Sequence, residues 1–112
     1  MTRPNLNRKL SLEEPVRVAD GAGGFTQSWQ TLGELWAEVK HGSGRERAAG
    51  FATVSSIAFR ITVRAAPDGA PSRPKPDQRF RDGSRIFRIL AVTEAYAGAQ
   101  YLTCFSQEEV SA

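Results

Sequence analysis

Between Ile57 and Arg64 the chain reads IAFRITVR, with Ile57, Phe59, Ile61 and Val63 at every second position and Arg60, Thr62 and Arg64 between them. Side chains alternate between the two faces of a strand, so this spacing predicts a β-strand that turns one face to a core. Leu12–Ala19 repeats the pattern more weakly, Val16 and Val18 falling on one face and Arg17 on the other. Arg85–Val92, RIFRILAV, is apolar at nearly every position, which suits a strand in the middle of a barrel or sandwich. Arg88 interrupts it and needs a carboxylate or carbonyl partner if half-buried, with Glu38 and Glu94 as candidates. Gln100–Phe105, QYLTCF, predicts the last strand.

The longest structured stretch is DGAGGFTQSWQTLGELWAEVK, Asp20–Lys40. Asp20, Gly21, Gly23 and Gly24 cluster as in a tight reversal, because glycine reaches positive φ without steric cost and aspartate bonds its own following backbone. A hairpin between PVRVA and FTQSW follows, expected to pack Trp29 or Trp36 into the core. From Leu32 to Val39 the periodicity is ambiguous. Leu32, Leu35, Trp36 and Val39 fit a helical stripe, while Leu35, Ala37 and Val39 against Trp36, Glu38 and Lys40 fit the faces of a strand.

The connections are of two kinds. His41–Ser55, HGSGRERAAGFATVS, brackets a short run of helix formers with Gly42, Gly44 and Gly50 and predicts a long loop with at most one helical turn. AAPDGAPSRPKPDQ holds four prolines and predicts a partly extended link, since proline gives no ladder hydrogen bond. It leads to Arg79-Phe80 and a turn at Asp82-Gly83. Residues 1–10 predict a flexible or partner-ordered arm, and residues 106–112 an acidic tail. Together these elements make one all-β domain over 1–112, a small barrel or sandwich of five or six strands with one long loop and little helix.

With 112 residues and 40% hydrophobic side chains, the chain builds one small core and gains from self-association. Its net charge of +3 is unevenly distributed. Eight bases (Arg60, Arg64, Arg73, Lys75, Arg79, Arg81, Arg85 and Arg88) face three acids between Arg60 and Arg88, whereas the last nineteen residues hold Glu94, Glu108 and Glu109 and no base. Such asymmetry suits contact with nucleic acid, head-to-tail contact between copies, or a merely solvated surface. No apolar run approaches the roughly 20 residues of a membrane helix, so no membrane partner is expected.

Catalysis needs a base, nucleophile or metal in a defined constellation, and none is legible. His41 is the single histidine and sits among glycines; Cys104 is the single cysteine and reads as a small buried apolar side chain. Together they leave no zinc pattern, and the DGAGG glycines lack the Gly-Lys-Ser/Thr of a phosphate loop. The chain is therefore read as a non-enzyme without metal or cofactor.

The order Asp-x-x-Gly-Gly, Trp29, Trp36-Ala-Glu-Val, Gly44-x-Glu46, a basic strand ending in Arg64, and Arg85-Ile-Phe-Arg-Ile-Leu-Ala-Val resembles the head–tail adaptor family of tailed bacteriophages, also called head-closure or stopper proteins. The match runs from about Leu12 to Cys104 and includes versions from prophages and gene transfer agents. The resemblance implies a small antiparallel β-barrel of about six strands in which the Trp-Ala-Glu-Val segment is a long strand. It implies a virion protein assembled in the bacterial cytoplasm into a homo-oligomeric ring, commonly of twelve copies. A portal or adaptor protein lies above that ring, a tail terminator or tail tube protein below, and double-stranded DNA in the channel, bound without sequence preference. On this reading His41, Gly42, Gly44, Arg45, Glu46, Arg47 and Gly50 form the channel loop, and Arg60, Arg64, Arg73, Lys75, Arg79, Arg81 and Arg85 a basic surface. The alternative is an OB-like nucleic-acid-binding barrel that stacks bases on Phe59, Phe80, Phe87 and Tyr101.

Overall fold

The computed structural model describes residues 4–42, 56–67, 69–95 and 100–109. Six strands carry them: β1 (Arg8–Ala19), β2 (Phe25–His41), β3 (Ser56–Arg64), β4 (Arg79–Asp82), β5 (Arg85–Ala95) and β6 (Tyr101–Glu109). Each pairs antiparallel with two neighbours in the order β1-β2-β3-β6-β5-β4, and the pairing of β4 with β1 closes the sheet into a barrel. No helix occurs among the described residues, and the Leu32–Val39 ambiguity resolves as strand.

The barrel interior is filled from the alternate positions of every strand: Leu10 and Leu12, Ala37, Phe59, Ile61 and Val63, Phe80, Phe87 and Ile89, Leu102 and Cys104. Phe59 meets Phe87 edge to face, with ring centres 5.2 Å apart, an arrangement that adds to the burial of both rings. Burial pushes the Cys104 thiol up to about 12, so it stays neutral and inert, as its place in the apolar stripe implies.

Two predicted limits shift outward by four residues. β1 begins at Arg8 rather than Leu12, because Leu10 shares the inward face with Leu12 and both are fully buried. At the other end β6 continues through Ser106–Glu109, where Ser106 is buried and Glu108 reaches the barrel mouth. The arm and tail of the sequence reading thus lend strand residues to the barrel.

The first hairpin is longer than the barrel is tall. β4 pairs with β1 only at Ser11–Glu13 and β3 with β2 only at Ala37–His41, so Glu14–Ala19 and Phe25–Thr31 form a two-stranded ribbon outside the closed sheet. A register shift between Leu12 and Glu13, with Leu32 as the extra residue, marks where the ribbon leaves the wall. At its tip Asp20 Oδ1 accepts hydrogen bonds from the amides of Ala22 (2.8 Å) and Gly24 (3.1 Å). Those amides hold the Asp20 carboxyl below its ordinary range. Gly21 (φ 82°) and Gly23 (φ 89°) take the left-handed conformations that only glycine adopts freely, as the turn reading requires.

The tryptophans do not enter the core. Trp36 is 55% exposed beside Lys9, and Trp29 is half-buried on the outer side of the ribbon beneath Arg79. Adjacent strand residues take opposite faces, and at the Trp36-Ala37 step the narrow interior takes the smaller side chain, Ala37, at 0% exposure.

Candidate functional site: a charged mouth, a ribbon and an outer wall

Antiparallel pairing brings six strand ends to one mouth of the barrel: the start of β1, β3 and β5 and the end of β2, β4 and β6. The residues 43–55, which join β2 to β3, lie outside the described residues; the strand ends they connect, His41 and Ser56, are at this mouth. Inward positions at strand ends overhang the core without being covered, so charged side chains there reach water while their stems pack below. Arg8 donates to Asp82 at 2.6 Å, and Arg85 donates to both Glu108 oxygens at 2.8 and 3.0 Å. The Arg85 guanidinium also lies over Phe59 and Phe87, 5.8 and 5.0 Å from their ring centres. His41 stacks on Phe59 with centres 4.8 Å apart. The mouth is thus a layer of ion pairs laid over the aromatic end of the core.

The two-pronged bond from Arg85, helped by the Arg8 and His41 charges, keeps the Glu108 carboxyl below its usual range, and the same pair raises Arg85. A carboxylate depressed in the folded state stabilises the protein at pH above its unfolded value, about 4.3, and that contribution is lost as pH falls through the folded value. Glu108→Gln is therefore expected to melt below wild type at pH 7, and the gap is expected to narrow progressively as pH falls through the acid range below the unfolded value, as a series of thermal melts across that range will show.

A second cluster braces the ribbon. Glu13, 5% exposed, accepts from Arg79 Nε at 2.7 Å and Arg81 Nε at 3.1 Å. Arg79 stacks on Trp29 at 4.0 Å, and farther out Arg17 lies 4.5 Å over Phe25. Pro15, Arg17, Gln27 and Trp29 of the ribbon form a shallow groove with Asp77, Arg79, Arg88 and Glu109. Arg88 is 54% exposed and faces Asp77 at 4.0 Å. Arg88 is thus exposed rather than half-buried, and its acid among the described residues is Asp77, not Glu38 or Glu94.

A third surface is the outer wall of β2, β3, β6 and β5. Across it Lys40 stands opposite Arg60, Arg60 opposite Phe105, and Phe105 opposite Ala91, with Leu90 unpaired in a bulge beside them. Glu38, Thr62, Thr103 and Thr93 make the neighbouring row. Glu38 accepts the backbone N–H of Asn5 at 2.9 Å and lies 3.8 Å from Lys40.

The seven residues of the expected basic surface separate on folding. Arg79 and Arg81 bind Glu13, and Arg85 binds Glu108. Arg73 donates to the Ala66 carbonyl at 2.7 Å in the link before β4, which also holds exposed Lys75. Arg64 lies over Tyr101, 5.6 Å from its ring centre. Arg60 is exposed on the outer wall. Of the expected loop, His41 ends β2 and the Gly42 amide donates to the Ala58 carbonyl at 2.9 Å, whereas Gly44, Arg45, Glu46, Arg47 and Gly50 lie outside the described residues. The carboxylates that pair with three of the bases, Glu13 and Glu108, are not assignable from the sequence because their partners lie 66, 68 and 23 residues away.

Comparison with known proteins fits this geometry to a particle component. The family described as phage head completion protein matches residues 1–109. A chain from the virion of a native gene transfer agent particle is 63% identical, with a TM-score of 0.82, covering 98% of this chain and 100% of that one. The solution structure of protein SF1141 from Shigella flexneri 2a shares the fold, with 20% identity and a TM-score of 0.68 over 96% of each chain. No curated protein matches.

Proposed function

We propose a connector role on one premise: the chain belongs to the phage head completion protein family. It is a structural protein of a phage-like particle, and the observation that carries this is its 63% identity, over 98% of its length, with a chain of a gene transfer agent virion. Within that role it acts as a head-closure subunit. Copies form a ring beneath the portal or adaptor, hold the packaged DNA in the head, and offer the tail its attachment surface. Residues 43–55 are the channel segment, with Arg45 and Arg47 toward DNA phosphates and Gly44 and Gly50 as hinges. The charged mouth supports this reading, because its ion pairs give those residues a rigid base.

Base stacking by an OB-like barrel fits less well. Phe59, Phe80 and Phe87 are 5%, 0% and 0% exposed, and Tyr101 is 8% exposed beneath Arg64, so no ring has a free face for a base.

Deleting residues 44–50 is the decisive test. Particles carrying the deletion are expected to package DNA and lose it before tails attach, read by nuclease protection of tail-less heads. Arg45→Ala with Arg47→Ala is expected to weaken retention and leave the melting temperature unchanged. Full protection with normal tail joining in the deletion would remove residues 44–50 from DNA retention.

A further inference from the structure

The inward face of β1 does not end where the barrel ends. Leu10 and Leu12 are buried, and the same face then continues along the ribbon as Glu14, Val16 and Val18. Val18 is 46% exposed. No ion pair involves Glu14 among the described residues. A two-stranded hairpin alone in water is marginally stable, so a ribbon that carries an apolar stripe past the rim calls for a partner. Over Glu14, Val16 and Val18 the stripe is about 13 Å long at 3.3 Å per residue.

The outer wall of the same chain offers the matching sequence of chemistry. Leu90 and Phe105 are 49% and 40% exposed, and the row continues through Arg60 to Lys40. From Leu90 on β5 to Lys40 on β2 the row crosses three strand spacings, about 14 Å. Arg60 and Lys40 stand directly opposite each other, an arrangement that destabilises a sheet unless an anion answers it. Among the described residues Lys40 has Glu38 at 3.8 Å, and Arg60, on the same surface, forms no ion pair. The apolar, apolar, acidic stripe of the ribbon is thus matched in order and length by an apolar, apolar, basic row on the wall.

We propose that the ribbon of one copy lies across the outer wall of the next, with Val18 and Val16 on Leu90 and Phe105 and Glu14 between Arg60 and Lys40. This rests on the ring reading above and names its subunit contact. The two surfaces differ, so the contact is heterologous. Repeated with a fixed rotation it closes a ring, because an engaged pair still presents one free wall and one free ribbon.

Buried Cys104 is inert, so introduced thiols report alone. Particles assembled with Val18→Cys/Leu90→Cys protein are expected to give, on oxidation, a ladder of disulfide-linked copies of this chain. Glu14→Lys and Arg60→Glu should each lower incorporation into particles roughly tenfold or more. The double swap, which restores opposite charges, should recover most of it. Thermal melts of the purified variants separate lost contact from lost folding. Two results overturn this contact while leaving the ring intact: images with a ring of this chain but no ladder, or a Val18→Cys bond to a different protein. Images without any ring of this chain overturn the ring reading itself, and the contact with it.

Discussion

Phe87→Ala is expected to lower the stability of the barrel by about 3–5 kcal/mol, whereas Trp36→Ala, a larger truncation, is expected to change it by less than about 0.5 kcal/mol. Phe87 is 0% exposed, packs edge-on against Phe59, and supports the Arg85 guanidinium 5.0 Å away. Truncation leaves a cavity in a closed wall that cannot collapse, and it removes the floor of the charged mouth. Domains of this size hold roughly 5–15 kcal/mol in all, so the loss takes a large share of the total. Trp36 is 55% exposed and touches Lys9 at the surface, where solvent replaces what the substitution removes. Urea titration of both variants checks the pair. A larger loss for Trp36→Ala than for Phe87→Ala would mean that the core has been assigned to the wrong face of β2.

Local pattern made some elements legible and left others hidden. In β3 the strict alternation of Phe59, Ile61 and Val63 reads directly because all three meet the core, whereas Ile57, on the same face at the mouth end, is 48% exposed. The Asp20–Gly24 turn reads equally well, since its hydrogen bonds run between residues two and four apart. The extension of β1 to Arg8 was also available, as Leu10 and Leu12 already alternate. The size of the tryptophans does not report their burial, because the interior of a small barrel limits side-chain volume and admits Ala37 in place of Trp36. The bases between Arg60 and Arg88 form a run in sequence but part in space, with Arg79 and Arg88 lining the ribbon groove, Arg85 at the mouth and Arg60 on the outer wall. Their partners, Glu13 and Glu108, arrive through strand pairings that close only when the chain has returned on itself. A charge count along the chain contains no information about that closure.

Glu13→Ala is expected to cost about 3–5 kcal/mol, as much as a core aromatic, although it removes only a surface-strand carboxylate. The side chains of Glu13 and Arg79 are 6% and 12% exposed and are joined at 2.7 Å, with Trp29 stacked on the guanidinium at 4.0 Å. Without the carboxylate, Arg79 is a nearly buried cation with no counter-charge. Arg81 is 45% exposed and turns to water at little cost, so the penalty belongs to Arg79. Glu13→Met with Arg79→Leu removes both charges together and is expected to recover most of the loss, because two apolar side chains need no counter-charge. Thermal melts of the single and double variants measure this recovery, and a double variant no more stable than Glu13→Ala would mean that packing, not an orphaned charge, sets the cost. The cluster stands at the root of the ribbon, where β1 leaves the wall between Leu12 and Glu13. Amide exchange across Val16–Ala19 and Phe25–Ser28 should therefore quicken in Glu13→Ala more than exchange in β3, as the ribbon loses the brace that holds it to β4.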